Sequence, residues 1–288
     1  MLPIIFALVS YVGWGVGDIF GVVSARKLGG YSTTLWSYIF SIIILTFLLP
    51  FAPGNIRDFN LSTLFLNILL AIIGAVGFVA FNEGMRLSNA SLVGTIAAAF
   101  ATLAAVLSIV FLGERITTLQ ATAIVIAFVG VVFCTFNFKD LKKGKLIRNK
   151  GLILALVAMV TWGIYFAFIK IPIRQVGWFW PVYVGMISVL PLYLLFVRFR
   201  QIKIVKPTLK GALPYLLTGI ITLRIAELSF NYAISIGLTA IVAPIAGSYP
   251  SLFVVLASIF FKDPITTQEK FGIVVTIAGV VLLSLLSA

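Results

Sequence analysis

Within the apolar run 211–235 stand one arginine and one glutamate, Arg224 and Glu227. At a spacing of three they share one face of a helix and can pair. A charge at the centre of a bilayer costs at least ~2.5–3.5 kcal/mol on insertion scales, so such residues mark function or a structural pair. Arg224 can hold a carboxylate or phosphate by forked hydrogen bonds. Glu227 can hold Arg224 in place, bind a substrate amine or carry a proton. The competing reading is a buried ion pair that only fixes packing. Asp18, in the run 3–23, is the third such residue. It reads either as a solute contact or as a polar contact near the membrane edge.

Other chemistry is excluded by composition. The 288 residues include no histidine and one cysteine, Cys134. Ser-His-Asp and Cys-His catalysis, His-ligated metal and internal disulfides are therefore ruled out. No cofactor is expected. The chain is 61% hydrophobic and 10% charged, with mean hydropathy +1.18. Soluble domains are nearer ~45–50% and ~25%, so the expected solvent is lipid.

Further candidates are aromatic or helix-breaking. Trp14 and Trp162 fall at the level of the bilayer midplane and can line a cavity or pack a core. Tyr11 and Tyr165 can add hydroxyl donors. Near residue 245, Pro244 and Pro250 each remove a backbone donor and free a carbonyl one turn earlier. A substrate, water, Ser248 or Ser251 could meet those carbonyls beside Tyr249. Thr95 and Ala101 occupy the matching positions earlier in the chain, so this break is expected once only. Gly13, Gly17 and Gly21 form a stripe that permits close helix packing. Lys170, Glu83 and Arg86 read as snorkelling helix-end residues, and Asn82 and Asn231 as helix caps.

A helix needs ~20 apolar residues to cross the hydrocarbon layer. Ten runs qualify: 3–23, 33–52, 62–84, 91–111, 118–138, 151–171, 178–198, 211–235, 239–260 and 268–287. They are continuously apolar, unlike the alternating strands of a barrel. The first run lacks a basic leader and is read as a span rather than a signal peptide.

The runs repeat. Residues 81–133 align with 230–282 without a gap: Phe81-Asn82 with Phe230-Asn231, Ile116-Thr117-Thr118 with Ile265-Thr266-Thr267, Gly130-Val131-Val132 with Gly279-Val280-Val281. One residue out of that register, Trp14-Gly15, Arg26 and Gly29 match Trp162-Gly163, Arg174 and Gly177. The expected organisation is a five-helix repeat over 1–138, a basic linker over 139–150 and a second repeat over 151–288. Five is odd, so the second half enters the membrane inverted. The fold class is an all-α polytopic membrane protein of two inverted five-helix repeats, an architecture that places a solute site between the halves. Arg224, Glu227 and Asp18 match Ala75, Phe78 and Phe166, so the polar groups are not needed to build the repeat.

This pattern resembles the drug/metabolite transporter superfamily, EamA type. The resemblance covers nearly the whole chain. It rests on Trp14-Gly15 and Trp162-Gly163, on Gly113-Glu114-Arg115, on Gly130 and Gly279, and on the Pro-bearing ninth helix. Lys262-Asp263-Pro264 stands where a second Gly-Glu is usual. The resemblance implies a secondary carrier of small metabolites such as amino acids, sugars or nucleotide derivatives.

The net charge of +13 is distributed along one membrane face. Sixteen of the 21 basic residues fall at odd-numbered joints and four at even-numbered ones. That distribution removes the case for a nucleic-acid partner. Positive-inside placement puts both termini outside, whereas the family resemblance puts them inside. The expected partners are the lipid bilayer of the cell membrane and a small-molecule substrate, with proton coupling and a monomeric or homodimeric state both open. The expected function is secondary transport of a small polar metabolite by alternating access. A lipid flippase on the same scaffold and, further off, a membrane-embedded enzyme are the alternatives.

Overall fold

A computed structural model describes residues 1–88, 90–135, 150–262 and 265–287. Of the basic linker only Lys150 lies within these, and Asn89 and Asp263-Pro264 lie outside them. The regular structure of the described residues is helical. In chain order the helices are α1 (Leu2–Leu28), α2 (Gly30–Leu48), α3 (Leu61–Leu87), α4 (Ala90–Ala98), α5 (Phe100–Leu112), α6 (Thr118–Thr135), α7 (Lys150–Phe168), α8 (Lys170–Val176), α9 (Trp180–Phe199), α10 (Leu213–Ile236), α11 (Thr239–Gly247), α12 (Pro250–Phe260) and α13 (Thr267–Leu285). Helices satisfy their own backbone groups, which is what lipid demands. Eight helical stretches are long and apolar enough to cross a membrane, and two shorter apolar ones cover Ile96–Leu112 and Thr118–Cys134. Large side chains such as Phe47, Phe65 and Leu61 project outward, as lipid-facing residues do. The protein is a multi-pass integral membrane protein.

Packing follows the repeat. The first helix of each half lies on the third helix of the other: α1 on α10, and α7 on α3. The two last helices, α6 and α13, lie on each other. The Trp-Gly pairs explain part of this exchange. A Cβ added at Gly15 would press on Leu252 of α12, and one at Gly163 on Leu103 of α5, the repeat mate of Leu252. In the α6–α13 seam a Cβ at Gly130 would strike the Thr276 backbone, and one at Gly279 the Ala127 backbone. Without apolar transfer to drive helices together in lipid, such close approach supplies the attraction. The α1 stripe is only partly used. Gly13 and Gly17 abut Ala226, Thr222 and Leu223, but nothing lies within 4 Å of a Cβ at Gly21. Gly130→Val is therefore expected to abolish the monodisperse peak in detergent size-exclusion chromatography, and Gly21→Ala to leave it unchanged.

Three expected single runs are broken. Pro172 interrupts 151–171 at Ile169, because its ring has no N–H and clashes with the carbonyl four residues back. Pro250 opens α12 after a turn at Ser248-Tyr249. The run 91–111 also breaks, at Ala99, without a proline. The expectation of a one-sided break is thus corrected. The bonds Ala99 N–H to Ile96 O (3.3 Å) and Thr102 N–H to Ala99 O (3.2 Å) are repeat mates of Ser248 N–H to Ile245 O (3.3 Å) and Ser251 N–H to Ser248 O (3.1 Å). The bend lets α5 cross α11 closely, with Ala101 against Gly247.

Candidate functional site

A cavity of about 120 Å³ opens between the halves. At roughly 10–15 Å³ of such space per water, it has room for a solute of about ten heavy atoms. Its walls come in repeat pairs: Trp14 with Trp162, Asp18 with Phe166, Ala75 with Arg224, Phe78 with Glu227, Phe100 with Tyr249, and Tyr38 with Met186. The cavity is therefore lined by matching positions of both repeats, and its charge breaks the match. Each charged residue has an apolar mate on the opposite wall.

α10 carries Arg224 and Glu227 to the cavity as an ion pair through Arg224 Nη1. The Tyr165 hydroxyl, from α7, donates to Glu227 at 3.0 Å. Arg224 Nη1 also reaches the Met186 sulfur at 3.7 Å. Its Nε is buried and has no hydrogen-bond partner among the described residues. One edge of the guanidinium is thus held by Glu227, while a donor on the other is left unpaired. Burying a donor unpaired costs ~1–3 kcal/mol, more when it is charged. Asp18 faces the cavity from α1, and Tyr249 faces it from the α11–α12 break. Among the described residues Asp18 takes part in no ion pair.

The aromatic wall is packed as well as exposed. Trp14 lies 5.7 Å from Phe100, 5.3 Å from Phe166 and 6.0 Å from Tyr249, centroid to centroid and edge-on. Trp162 contacts Phe81 and Phe100, and its Nε1 donates to Gly74 O at 3.3 Å. Both tryptophans serve the core and the cavity.

Pro244 and Ser248 stand apart from the lining. The Ser248 hydroxyl donates to Pro244 O at 2.7 Å, Ser251 to Ser248 O at 2.9 Å, and Tyr249 N–H to Ala246 O at 3.3 Å. The Pro244, Ala246 and Ser248 carbonyls at the break are thus met from within the same turn. Only Tyr249 from this group reaches the cavity, and Tyr11 is engaged with Ser251 at 2.8 Å. Asn82 and Asn231 do not cap helix ends. Asn82 donates to Thr34 Oγ1 at 3.2 Å and Asn231 to Trp178 O at 3.4 Å, so each ties the third helix of its half to the start of that half's second.

Lys170 does not snorkel. It is buried and donates to Glu114 Oε1 at 2.6 Å and to Gly237 O at 2.6 Å. Glu114 also accepts the Thr239 N–H at 3.0 Å and the Ala240 N–H at 2.8 Å, capping α11. Burial alone would raise the Glu114 carboxyl, but the bonds from Lys170, Ala240 and Thr239 outweigh it and hold the group below the ordinary glutamate value. A lowered folded value means that the unfolded chain takes up the proton first. The stabilisation is then full above the ordinary value of ~4.3 and fades as pH falls through the folded one. The Tm gap between wild type and Glu114→Gln is expected to narrow below about pH 4.

Cavity residues that sequence reasoning passed over include Phe100, Tyr38, Ser37, Ser41 and Met186. Phe100 was accessible as the repeat mate of Tyr249. The α2 and α9 residues carry no charge or break that would single them out.

Comparison with known proteins adds identity to this geometry. A crystal structure superposes over 98% of this chain and 97% of its own, with TM-score 0.77 and 14% sequence identity, a likeness of fold alone. An uncharacterized protein of Methanocaldococcus jannaschii is 27% identical over 137 residues, which are 48% of this chain and 98% of that one. A polypeptide half as long thus matches half of this one. An uncharacterized transporter of Clostridium kluyveri is 29% identical over 151 residues, 50% of this chain and 46% of that protein. The profile of the EamA-like transporter family matches twice, over residues 1–136 and 149–285. The chain therefore belongs to the EamA-like transporter family, within the drug/metabolite transporter superfamily.

Proposed function

We propose that the protein is a secondary transporter of a small polar metabolite bearing a carboxylate or phosphate, working by alternating access between two inverted five-helix halves. The observation that carries this reading is the unpaired Nε of Arg224 in the wall of the central cavity. Glu227 holds the guanidinium and leaves a forked edge for an anion. Asp18 and Tyr249 form a second polar pole for a hydroxyl or amine of the solute, and the aromatic wall takes its apolar body. Support for ten crossings comes from treating the two shorter apolar stretches as spans. Support for inversion comes from the exchanged packing of α1 on α10 and α7 on α3, and from the matched breaks at Ala99 and Ser248. Two such halves supply two access states related by a pseudo-two-fold rotation, reached by rocking.

The test is a thermal-shift screen of purified protein against carboxylate- and phosphate-bearing metabolites, followed by proteoliposome flux on the hits. Stabilising anions that are carried by wild type support the reading; stabilisation by uncharged solutes alone contradicts it. Proton coupling through Glu227 makes a separate prediction. Glu227→Gln is expected to lose accumulation against a gradient and to keep solute exchange. Equal loss of both in paired uptake and exchange assays would leave Glu227 a structural role only.

A further inference from the structure

Outside the cavity, Glu114 is a buried acid with three hydrogen-bond donors among the described residues. Its carboxylate takes Lys170 from the α7–α8 break and two amides from the start of α11, while Lys170 also holds the carbonyl of Gly237 at the end of α10. First-half and second-half segments meet here at one end of the bundle. In an inverted repeat, a contact that opens at one face as its twin closes at the other must have a twin. This one lacks it. The repeat mate of Lys170 is Val22, which carries no ammonium. The surroundings are equally fixed. Just beyond Glu114, Gln120 at the start of α6 donates to Leu286 O and Ser287 Oγ at 3.1 Å each, next to the glycine-packed α6–α13 seam. Chain breaks lie immediately beside the network, at Ile169 next to Lys170 and at Ser248-Tyr249 one helix on from Thr239.

We infer that the Glu114–Lys170 network is a permanent joint between the halves, made in both access states, with movement taken up at the breaks beside it. This rests on the alternating-access reading. Glu114 and Lys170 are positioning residues: they fix the origin of α11, whose far end carries Tyr249 to the cavity.

The experiment needs no identified solute. Ser41 lines the cavity, and Cys134 is buried. Ser41→Cys protein in membrane vesicles of both orientations is treated with a membrane-impermeant maleimide, with wild type as background and Ala71→Cys as a second probe of the same cavity. Hydrogen-exchange mass spectrometry on the same vesicles follows the 238–240 amides. A permanent joint gives labelling in both orientations while the Thr239 and Ala240 amides stay protected for hours. Glu114→Gln is expected to speed their exchange at least about tenfold, since the neutral amide is the weaker acceptor. Two-sided labelling with those amides exchanging within the labelling time overturns the joint alone, as does an unchanged rate in Glu114→Gln. Labelling in one orientation only, with both probes, overturns alternating access and the joint with it.

Discussion

Arg224→Ala is expected to abolish solute flux while the protein still reaches the membrane folded. Truncating one partner of a buried charged contact costs about 2–5 kcal/mol, which is ~30-fold to several thousandfold in affinity. The fold should survive. The Ala75 wall shows that the equivalent position in the other half needs no charge, and Glu227 keeps the Tyr165 hydroxyl as a donor. Arg224→Lys separates charge from geometry. A lysine is a point charge without a fork, so it is expected to recover only part of the flux. Flux and detergent Tm measured on the same preparations check both. Equal loss of Tm and flux in Arg224→Ala would reduce the ion pair to a packing device.

Glu114→Ala is expected to have the opposite profile, a stability effect first. It leaves Lys170, 3% exposed, without its counter-charge, and the Thr239 and Ala240 amides without their acceptor. Removing one partner of a buried pair costs about 3–5 kcal/mol, a large part of a typical ~5–15 kcal/mol total stability. Little folded protein should be recovered. Adding Lys170→Met removes the stranded ammonium and is expected to restore most of the folded yield, because replacing both members of a buried pair by uncharged residues is often neutral. Fluorescence-detected size-exclusion profiles of the single and double variants read this directly. No recovery in the double variant would mean that the capped amides, not the ion pair, dominate.

These two sites differ in how far the sequence discloses them. Arg224 and Glu227 are three residues apart in one apolar run, so their pairing follows from helix geometry and the expense of charge in lipid. Asp18, Trp14, Trp162, Tyr165 and Tyr249 converge on the same cavity, and the repeat register predicts which walls oppose them. Glu114 and Lys170 are 56 residues apart and meet only through tertiary packing. Lys170 looked like a helix-end residue free to reach water. Pro172 breaks the helix beside it instead, and Glu114 and Gly237 supply acceptors inside. The Ala99 break had no proline to announce it and coincides with the close crossing of α5 on α11. Ser248 marks a real break while Pro244 lies inside α11, and the carbonyls of Pro244, Ala246 and Ser248 are met by neighbours in their own turn.

The central claim is that the unpaired edge of Arg224 holds the solute. It is tested most directly by counterflow in proteoliposomes loaded with a carboxylate- or phosphate-bearing metabolite that stabilises the wild-type protein. Wild type is expected to exchange the labelled anion and Arg224→Ala, folded and reconstituted to the same density, to exchange none above the empty-liposome rate. Counterflow through Arg224→Ala at the wild-type rate would contradict the account.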